Sequence, residues 1–207
     1  RTPTRSICAG GDGNMWFTEE AERIGFITPR AVVREFLVPT RGGSPFQIAA
    51  SADGTLWFTD LSGAIGHSQL DGTMVEYPTP TRSSGPFGIV YGPDGNMWFT
   101  ENAAGKIGRI TPAGVITEFA LAADSEPRGI TAGVDGNLWF TEFARNKIGK
   151  ITPAGTVSEY DVPTPAAGPN RITTALDGTL WFTEYNANAV ASFTVSLPVR
   201  LEQFSVD

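Results

Sequence analysis

Five carboxylates recur at the same place in the sequence, each directly after a Trp-Phe-Thr tripeptide. These acids are Glu19, Asp60, Glu101, Glu142 and Glu184. Hard divalent cations prefer carboxylate oxygens as ligands, so two or three of the acids form a candidate cation site. We select Glu101, Glu142 and Glu184 as its ligands, with Mg2+ or another divalent cation as the cofactor. The alternative is that each acid ends a strand by itself, solvated or accepting hydrogen bonds from loop N–H groups, and that no cofactor binds.

Two further positions of the same segment carry side chains suited to ligand binding. Eleven residues before each Trp the chain has Arg5, Phe46, Phe87, Arg128 and Asn170. One residue past each acid it has Glu20, Leu61, Asn102, Phe143 and Tyr185. These positions vary between copies whose other residues are uniform, and rigid scaffolds commonly present function on loops. We therefore predict a surface that binds a small-molecule or peptide-like ligand through Arg5, Phe46, Phe87, Arg128, Phe143, Asn170, Arg171 and Tyr185.

Other catalytic patterns are missing from the sequence. It contains no Cys/His cluster, no Walker loop and no Gly-x-Ser-x-Gly nucleophile elbow. The single histidine, His67, falls in a third strand of the repeat described below and is expected to be a surface residue. Arg5, Arg128 and Arg171 are able to pair with the nearby acids, which would weaken the case for a cation site.

A repeat of about 41 residues positions all of these side chains. Its five tryptophans, spaced by 41, 41, 41 and 42 residues, are Trp16, Trp57, Trp98, Trp139 and Trp181. An Asp-Gly pair precedes each Trp by four residues and an Ile precedes it by nine. The third copy predicts four strands, separated at Asp94-Gly95 and Pro112–Gly114 by turns, over Phe87–Tyr91, Met97–Glu101, Ile107–Thr111 and Val115–Phe119.

Four-stranded units at this period indicate an all-β fold, a β-propeller of antiparallel blades with five blade repeats. We expect one domain over residues 1–207, with blades at about 1–41, 42–82, 83–123, 124–165 and 166–207. The repeated Trp and Phe are expected to pack between blades. The first strand of each blade should line the central channel. The loops between second and third strands, together with the crossovers between blades, should form the functional face.

The composition excludes several partners. The net charge is −7 and the pI about 4.7, and no basic stripe is present to neutralise phosphates, so nucleic acid is not an expected partner. No apolar run approaches the roughly 18 residues needed for a membrane span. Cys8 is the single cysteine, which rules out a disulfide within the chain.

The sequence does not determine whether the five blades close into a ring. The chain starts at a first strand and ends at a predicted outer strand, Val199–Val206, so no blade is shared between the termini. Three arrangements remain: a five-bladed ring, a segment of a longer propeller, or a ring completed by a partner. We favour the segment. An open arc would expose apolar sheet faces and make self-association possible.

The repeat resembles that of the virginiamycin B lyase (streptogramin lyase) family. The resemblance rests on Asp-Gly-Asn-Met-Trp-Phe-Thr-Glu at 94–101 followed by Lys-Ile-Gly-Arg-Ile-Thr-Pro at 106–112, and it extends over almost the whole chain. It implies a seven-bladed propeller that opens cyclic streptogramin B depsipeptides by elimination across the ester. It further implies a magnesium site with carboxylate ligands and a histidine as general base.

This chain departs from that pattern, because it has five repeats and no histidine on the predicted functional face. We therefore expect a lyase-like module that binds a ligand without elimination. The first alternative is a magnesium-dependent C–O lyase that confers streptogramin B resistance, and the second is a protein-interaction or assembly scaffold. The resemblance favours a secreted or periplasmic protein, with the cytoplasm as the alternative.

Overall fold

The computed structural model describes residues 2–195, and their regular structure consists of β-strands. Nineteen strands form five antiparallel sheets, four of them with four strands and the last with three. Strands that are consecutive in the chain are neighbours in every sheet, so each sheet is a meander. The predicted propeller of antiparallel blades is confirmed. Within the described residues no helix has the length and apolarity to cross a bilayer.

Each blade begins with an inner strand and continues with a strand that carries the Trp-Phe-Thr-acid segment. The inner strands are β1 (Thr4–Ala9), β5 (Pro45–Ala50), β9 (Pro86–Tyr91), β13 (Pro127–Ala132) and β17 (Pro169–Thr174). The second strands are β2 (Met15–Glu19), β6 (Leu56–Asp60), β10 (Met97–Glu101), β14 (Leu138–Glu142) and β18 (Leu180–Glu184).

The third and outer strands complete the blades. The third strands are β3 (Arg23–Ile27), β7 (Ala64–Ser68), β11 (Lys106–Ile110), β15 (Lys147–Ile151) and β19 (Ala189–Phe193). The outer strands are β4 (Val33–Leu37), β8 (Met74–Pro78), β12 (Ile116–Ala120) and β16 (Val157–Asp161). The strands predicted for the third blade agree with these bounds to within one residue. The predicted strand Val199–Val206 lies outside the described residues.

The repeated Trp packs against the following blade. Trp98 of the third blade is fully buried beside Ile130, Leu138 and Phe140 of the fourth. Trp16, Trp57 and Trp139 are buried in the same way. The predicted inter-blade packing is confirmed for these four, and burial of such large apolar side chains is the main force that holds the blades together.

The described blades form an arc with two open faces. Inner strands pack side by side in the pairs β1/β5, β5/β9, β9/β13 and β13/β17, whereas residues 2–195 form no comparable interface between β17 and β1. On the open side of the fifth blade Trp181 is 45% exposed. On the open side of the first blade Ile7 is 60% exposed, although its counterparts Ile48 and Ile89 are 3% and 1% exposed.

A glycine before the Asp-Gly turn determines where the Trp side chain lies. The indole N–H of Trp98 donates to Asp94 Oδ1 at 3.0 Å. A Cβ at Gly92 would lie 2.4 Å from Trp98 Cδ1, so this close approach requires glycine. Trp16 and Trp139 have the same arrangement with Gly10 and Gly133.

The threonine of the Trp-Phe-Thr segment joins neighbouring blades. Thr100 Oγ1 accepts a hydrogen bond from Gly88 N at 2.8 Å and donates one to Arg128 O, in the next blade, at 2.7 Å. Thr59 and Thr141 make the same pair of bonds. The accepting carbonyls belong to residues predicted to bind the ligand, so the hydroxyl fixes the backbone at those positions.

Because the fifth blade has an open face, replacing its Trp should change the free energy of unfolding less than replacing the Trp of an inner blade. Trp98→Ala should lower the free energy of unfolding by about 3–5 kcal/mol, because a buried indole is lost and a cavity remains. Trp181→Ala should cost less than half as much, because its ring is half exposed already. Urea unfolding of both variants measures the difference, and equal losses would mean that the face of the fifth blade is covered.

Candidate functional site

Four of the predicted ligand-binding residues, from four blades, meet near the axis. They lie on the top face, defined here as the side with the loops between second and third strands and the crossovers between blades. The guanidinium of Arg171 lies 5.2 Å from the ring centre of Phe46 and 5.0 Å from that of Phe87. The guanidinium of Arg5 lies 5.1 Å from the Phe46 ring, and the two rings are 4.2 Å apart. These distances are within cation–π range.

Arg171 is the cation of this cluster that lacks an acidic partner in the described part of the chain. Arg5 forms an ion pair with Glu20 at 2.8 Å, whereas Arg171 Nη1 donates to Gln47 Oε1 at 3.0 Å. Burial lowers the pKa of Arg171, and the positive charge of Arg128 adds to the effect. Arginine remains protonated in proteins. Its charge is therefore free to attract a carbonyl or carboxylate of a ligand.

Three of the other four predicted residues form a second patch beside the first. The guanidinium of Arg128 lies 3.3 Å from the ring centre of Phe143 and forms an ion pair with Glu126 at 3.4 Å. The rings of Phe143 and Tyr185 are 6.3 Å apart. Asn170 Oδ1 is buried without a hydrogen-bond partner. The positive charge of Arg128 lowers the pKa of Arg171, so the second patch acts electrostatically on the axial cluster.

Two cavities adjoin these patches. One of about 330 Å³ lies at the axis and is lined in part by Arg5, Gln47 and Arg171. Another of about 480 Å³ lies between the loop 102–105 and the crossover 120–126. The sequence did not indicate the second cavity. Ser125 Oγ, buried and without a hydrogen-bond partner, belongs to its lining.

The repeated acids do not converge on one point. Asp60 accepts hydrogen bonds from Ser44 N at 2.9 Å and Ser62 N at 2.8 Å, as expected for an acid that caps loop N–H groups. Glu101 and Glu142 are fully buried in separate blades, and Glu184 is 3% exposed. Over residues 2–195 no three metal-ligating side chains come together. One cation held jointly by Glu101, Glu142 and Glu184 therefore does not fit this geometry.

Burial perturbs two of these acids strongly. The pKa of Glu101 is raised to about 7, chiefly by burial; the Ser84 hydroxyl offsets part of this effect, the charge of Glu118 adds to it, and Lys106 opposes it. Burial likewise raises the pKa of Glu142 to about 7, although Arg145 lies 3.4 Å away. No oxygen of either carboxyl has a hydrogen bond of normal geometry. Both groups thus titrate near neutral pH.

The single histidine lies on the opposite side of the propeller. His67, on β7, stacks on Trp57 at 4.1 Å, and its Nε2 is 3.0 Å from Thr55 Oγ1. It is half-buried and not the plain surface residue expected. No histidine lies on the top face within residues 2–195.

Sequence reasoning missed the contribution of Gln47 to the axial cluster. Gln47 belongs to the same repeat position as Arg171. The residue at this position, ten before each Trp, differs between copies, and this variation was a signal that could have identified Gln47. The five residues are Ser6, Gln47, Gly88, Gly129 and Arg171.

Comparison with known proteins assigns the chain to a family. The profile of the virginiamycin B lyase family matches residues 2–206. The crystal structure of selenomethionine-substituted virginiamycin B lyase from Staphylococcus aureus is 38% identical, with a TM-score of 0.86 over 94% of this chain and 71% of that one. The chain belongs to the virginiamycin B lyase family. Two further structures of the same family agree with this assignment.

A structure described as a streptogramin B lyase is 38% identical, with a TM-score of 0.85 over 94% of this chain and 70% of that one. A catalytically inactive histidine-to-alanine variant of the Staphylococcus aureus enzyme, with quinupristin, is 38% identical, with a TM-score of 0.88 over 94% of this chain and 70% of that one. A search of curated proteins found no match.

The raised pKa values predict how stability depends on pH. A carboxyl with a folded-state pKa above its unfolded value binds its proton more tightly when folded, so stability falls as pH rises from about 4 to about 7. A shift of this size corresponds to a loss on the order of 3 kcal/mol. Glu101→Gln should therefore raise the free energy of unfolding at pH 8 and change it little at pH 4.

Asp60→Asn is the matched control. Its Oδ1 still accepts from Ser44 N and Ser62 N. Oδ2, which also accepts from Ser44 N at 3.1 Å, becomes an amide N–H2, and the charge that strengthens these bonds is lost. The change should therefore destabilise the protein by about 1–3 kcal/mol. Chemical unfolding of both variants at pH 4, 6 and 8 checks the pair. A Glu101→Gln variant no more stable than the parent at pH 8 would contradict the assignment.

Proposed function

We propose that this member of the virginiamycin B lyase family is a ligand-binding module. Its top face takes a compact molecule with aromatic rings and carbonyl groups. The observation that carries the proposal is the cluster of Arg171, Arg5 and the Phe46–Phe87 pair beside the axial cavity. Phenyl rings offer flat apolar surface, and a guanidinium offers several donors in a fixed plane. Quinupristin, the compound in the structure of the inactive family member, is the natural probe.

Binding without elimination is the function that the described residues support best. Elimination needs a base within hydrogen-bond reach of the proton that it removes. The one histidine of the chain stacks on Trp57 on the opposite side. Glu101 and Glu142 have suitable pKa values, but both are fully buried, so a ligand on the top face does not contact them.

The second candidate is a magnesium-dependent C–O lyase that opens streptogramin B antibiotics. The identity of 38% to virginiamycin B lyase favours it. The general base and the magnesium ligands would then have to come from groups other than the acids that we selected, because those acids do not converge.

The third candidate is an interaction or assembly scaffold, favoured by the exposed apolar side chains on the two open faces. Ile7 on the first blade and Trp181 with Val190 on the fifth are 60%, 45% and 64% exposed. Light scattering over a tenfold range of concentration tests it. A mass that rises with concentration would support assembly through these faces, and a constant mass near 22.1 kDa would exclude self-association.

Titration of quinupristin by calorimetry tests the first proposal. Arg171→Ala and Phe87→Ala should each weaken binding by about tenfold or more, because each removes a central contact of the site. Arg34→Ala, on the outer strand β4, is the control and should leave binding unchanged. Binding that is absent in the parent protein, or that neither Arg171→Ala nor Phe87→Ala weakens, would contradict the proposed site.

Chromatography of the recovered compound separates binding from lyase activity. Elimination across the ester opens the ring without changing the mass of the compound. The ring-opened product is therefore identified by its retention time and fragmentation. We expect intact quinupristin with either added Mg2+ or EDTA. A ring-opened product that forms with Mg2+ and not with EDTA would establish the lyase and overturn the proposal.

A further inference from the structure

A cavity of about 220 Å³ lies between the second and third blades, near the Asp-Gly turns. It is on the side opposite the top face, and we call it the lower cavity. Its lining includes Asp53, Trp57, His67, Tyr91, Met97 and Pro112. A single water takes up about 30 Å³ in the liquid, so the space is large enough for a small organic head group.

The next interface along the chain shows what the equivalent space holds there. Arg109 is the third-blade counterpart of His67, since each faces the Trp of its own blade across the strand pair. The guanidinium of Arg109 lies 5.5 Å from the ring centre of Trp98, and its Nη1 donates to Pro153 O at 3.0 Å. In the fourth blade Lys150 Nζ lies 5.5 Å from the ring centre of Trp139. Two successive interfaces thus place a cation of the chain over the buried Trp.

In the second blade the His67 ring covers the face of Trp57 but leaves open the space beyond it, toward the next blade. Its ring lies nearly parallel to Trp57, at 8°, and its Nε2 bonds back to Thr55 Oγ1. Arg109, by contrast, extends to the next blade and reaches Pro153. The corresponding carbonyl at the second interface is that of Pro112, which lies in the lining of the lower cavity.

Asp53, at the rim of the lower cavity, has a carboxylate oxygen that accepts fewer hydrogen bonds than the corresponding oxygen in the third blade. Ser51 stands where other blades have Gly92 or Gly133, and the indole of Trp57 forms no hydrogen bond with Asp53 in the described structure. Asp53 Oδ1 accepts hydrogen bonds from Ser51 Oγ and Thr55 Oγ1, both at 2.7 Å. Within residues 2–195 its Oδ2 accepts none, whereas Asp94 Oδ2 accepts one from Asn96. A carboxylate oxygen therefore remains available beside the cavity.

We propose that the lower cavity binds an alkylguanidinium cation, such as free agmatine or the side chain of an arginine. The head group stacks on the ring of His67, which itself covers the face of Trp57, and extends toward the next blade as Arg109 does at the next interface. It donates to Pro112 O and to Asp53 Oδ2. A planar cation matches this set, because it stacks on an aromatic face while its N–H groups point outward at two acceptors.

Titration of the isotope-labelled protein with agmatine, followed by the indole N–H resonances, tests the proposal. In the parent protein the Trp57 resonance should shift and saturate, while that of Trp98 stays in place. His67→Arg supplies the chain's own guanidinium and should weaken agmatine binding at least tenfold. Arg109→His removes the resident cation at the next interface, but Asp94 Oδ2 is engaged by Asn96 there, so Trp98 should report agmatine binding at least tenfold weaker than that at Trp57.

Two controls make the result specific. Butylamine at matched ionic strength should bind at least tenfold more weakly than agmatine, because an ammonium lacks the planar set of donors. Sodium chloride alone should shift neither resonance. A Trp57 resonance that does not move with agmatine, that moves equally with butylamine, or that moves unchanged in the His67→Arg variant would overturn the proposal. If the Arg109→His variant does not fold, the comparison of the parent with His67→Arg still decides.

Discussion

In the second, third and fourth blades one threonine hydroxyl connects the scaffold to the site. Thr59, Thr100 and Thr141 each accept a backbone N–H from the inner strand of their own blade and donate to a carbonyl of the next inner strand. The register of the inner strand shifts at these positions, as between Phe99 and Glu101 opposite β9. A buried donor or acceptor without a partner costs free energy, so this relay holds an otherwise irregular backbone in one conformation. The side chains that it positions are free to differ, and they form the ligand surface.

The same separation of scaffold from variable side chain operates on the other side of the propeller. Gly92 and Asp94 fix the indole of Trp98, and the residue above that indole is then free to vary. It is Arg109 in one blade and His67 in another. A change of side chain at this point converts a filled interface into a cavity without changing the strands. Repetition of one blade therefore yields two independent sets of individualised sites.

The sequence predicted the blades well and the arrangement of the site only in part. Spacing of the Trp residues gave the five sheets, because packing between blades imposes the same residues on every copy. The axial cluster was partly foreseen: Arg5, Phe46 and Phe87 share one repeat position and hence one height around an axis, and Arg171 joins them from the next position along its strand. The joint cation site was not found, since equal height does not bring buried acids of different blades together. Whether Glu101 is solvated or enclosed depends on its own crossover, which the repeat does not encode.

The most direct test of this account compares Thr100→Val with Thr183→Val. The two threonines occupy the same repeat position, and each accepts a backbone N–H, from Gly88 and Arg171 respectively. Thr183, however, is exposed and has no described neighbour to which it donates. In urea unfolding, Thr100→Val should lose about 1–3 kcal/mol, because it leaves a buried N–H and a buried carbonyl without partners. Thr183→Val should lose clearly less, because water replaces its bond. Equal losses in the two variants would contradict the claim that the hydroxyl joins one blade to the next.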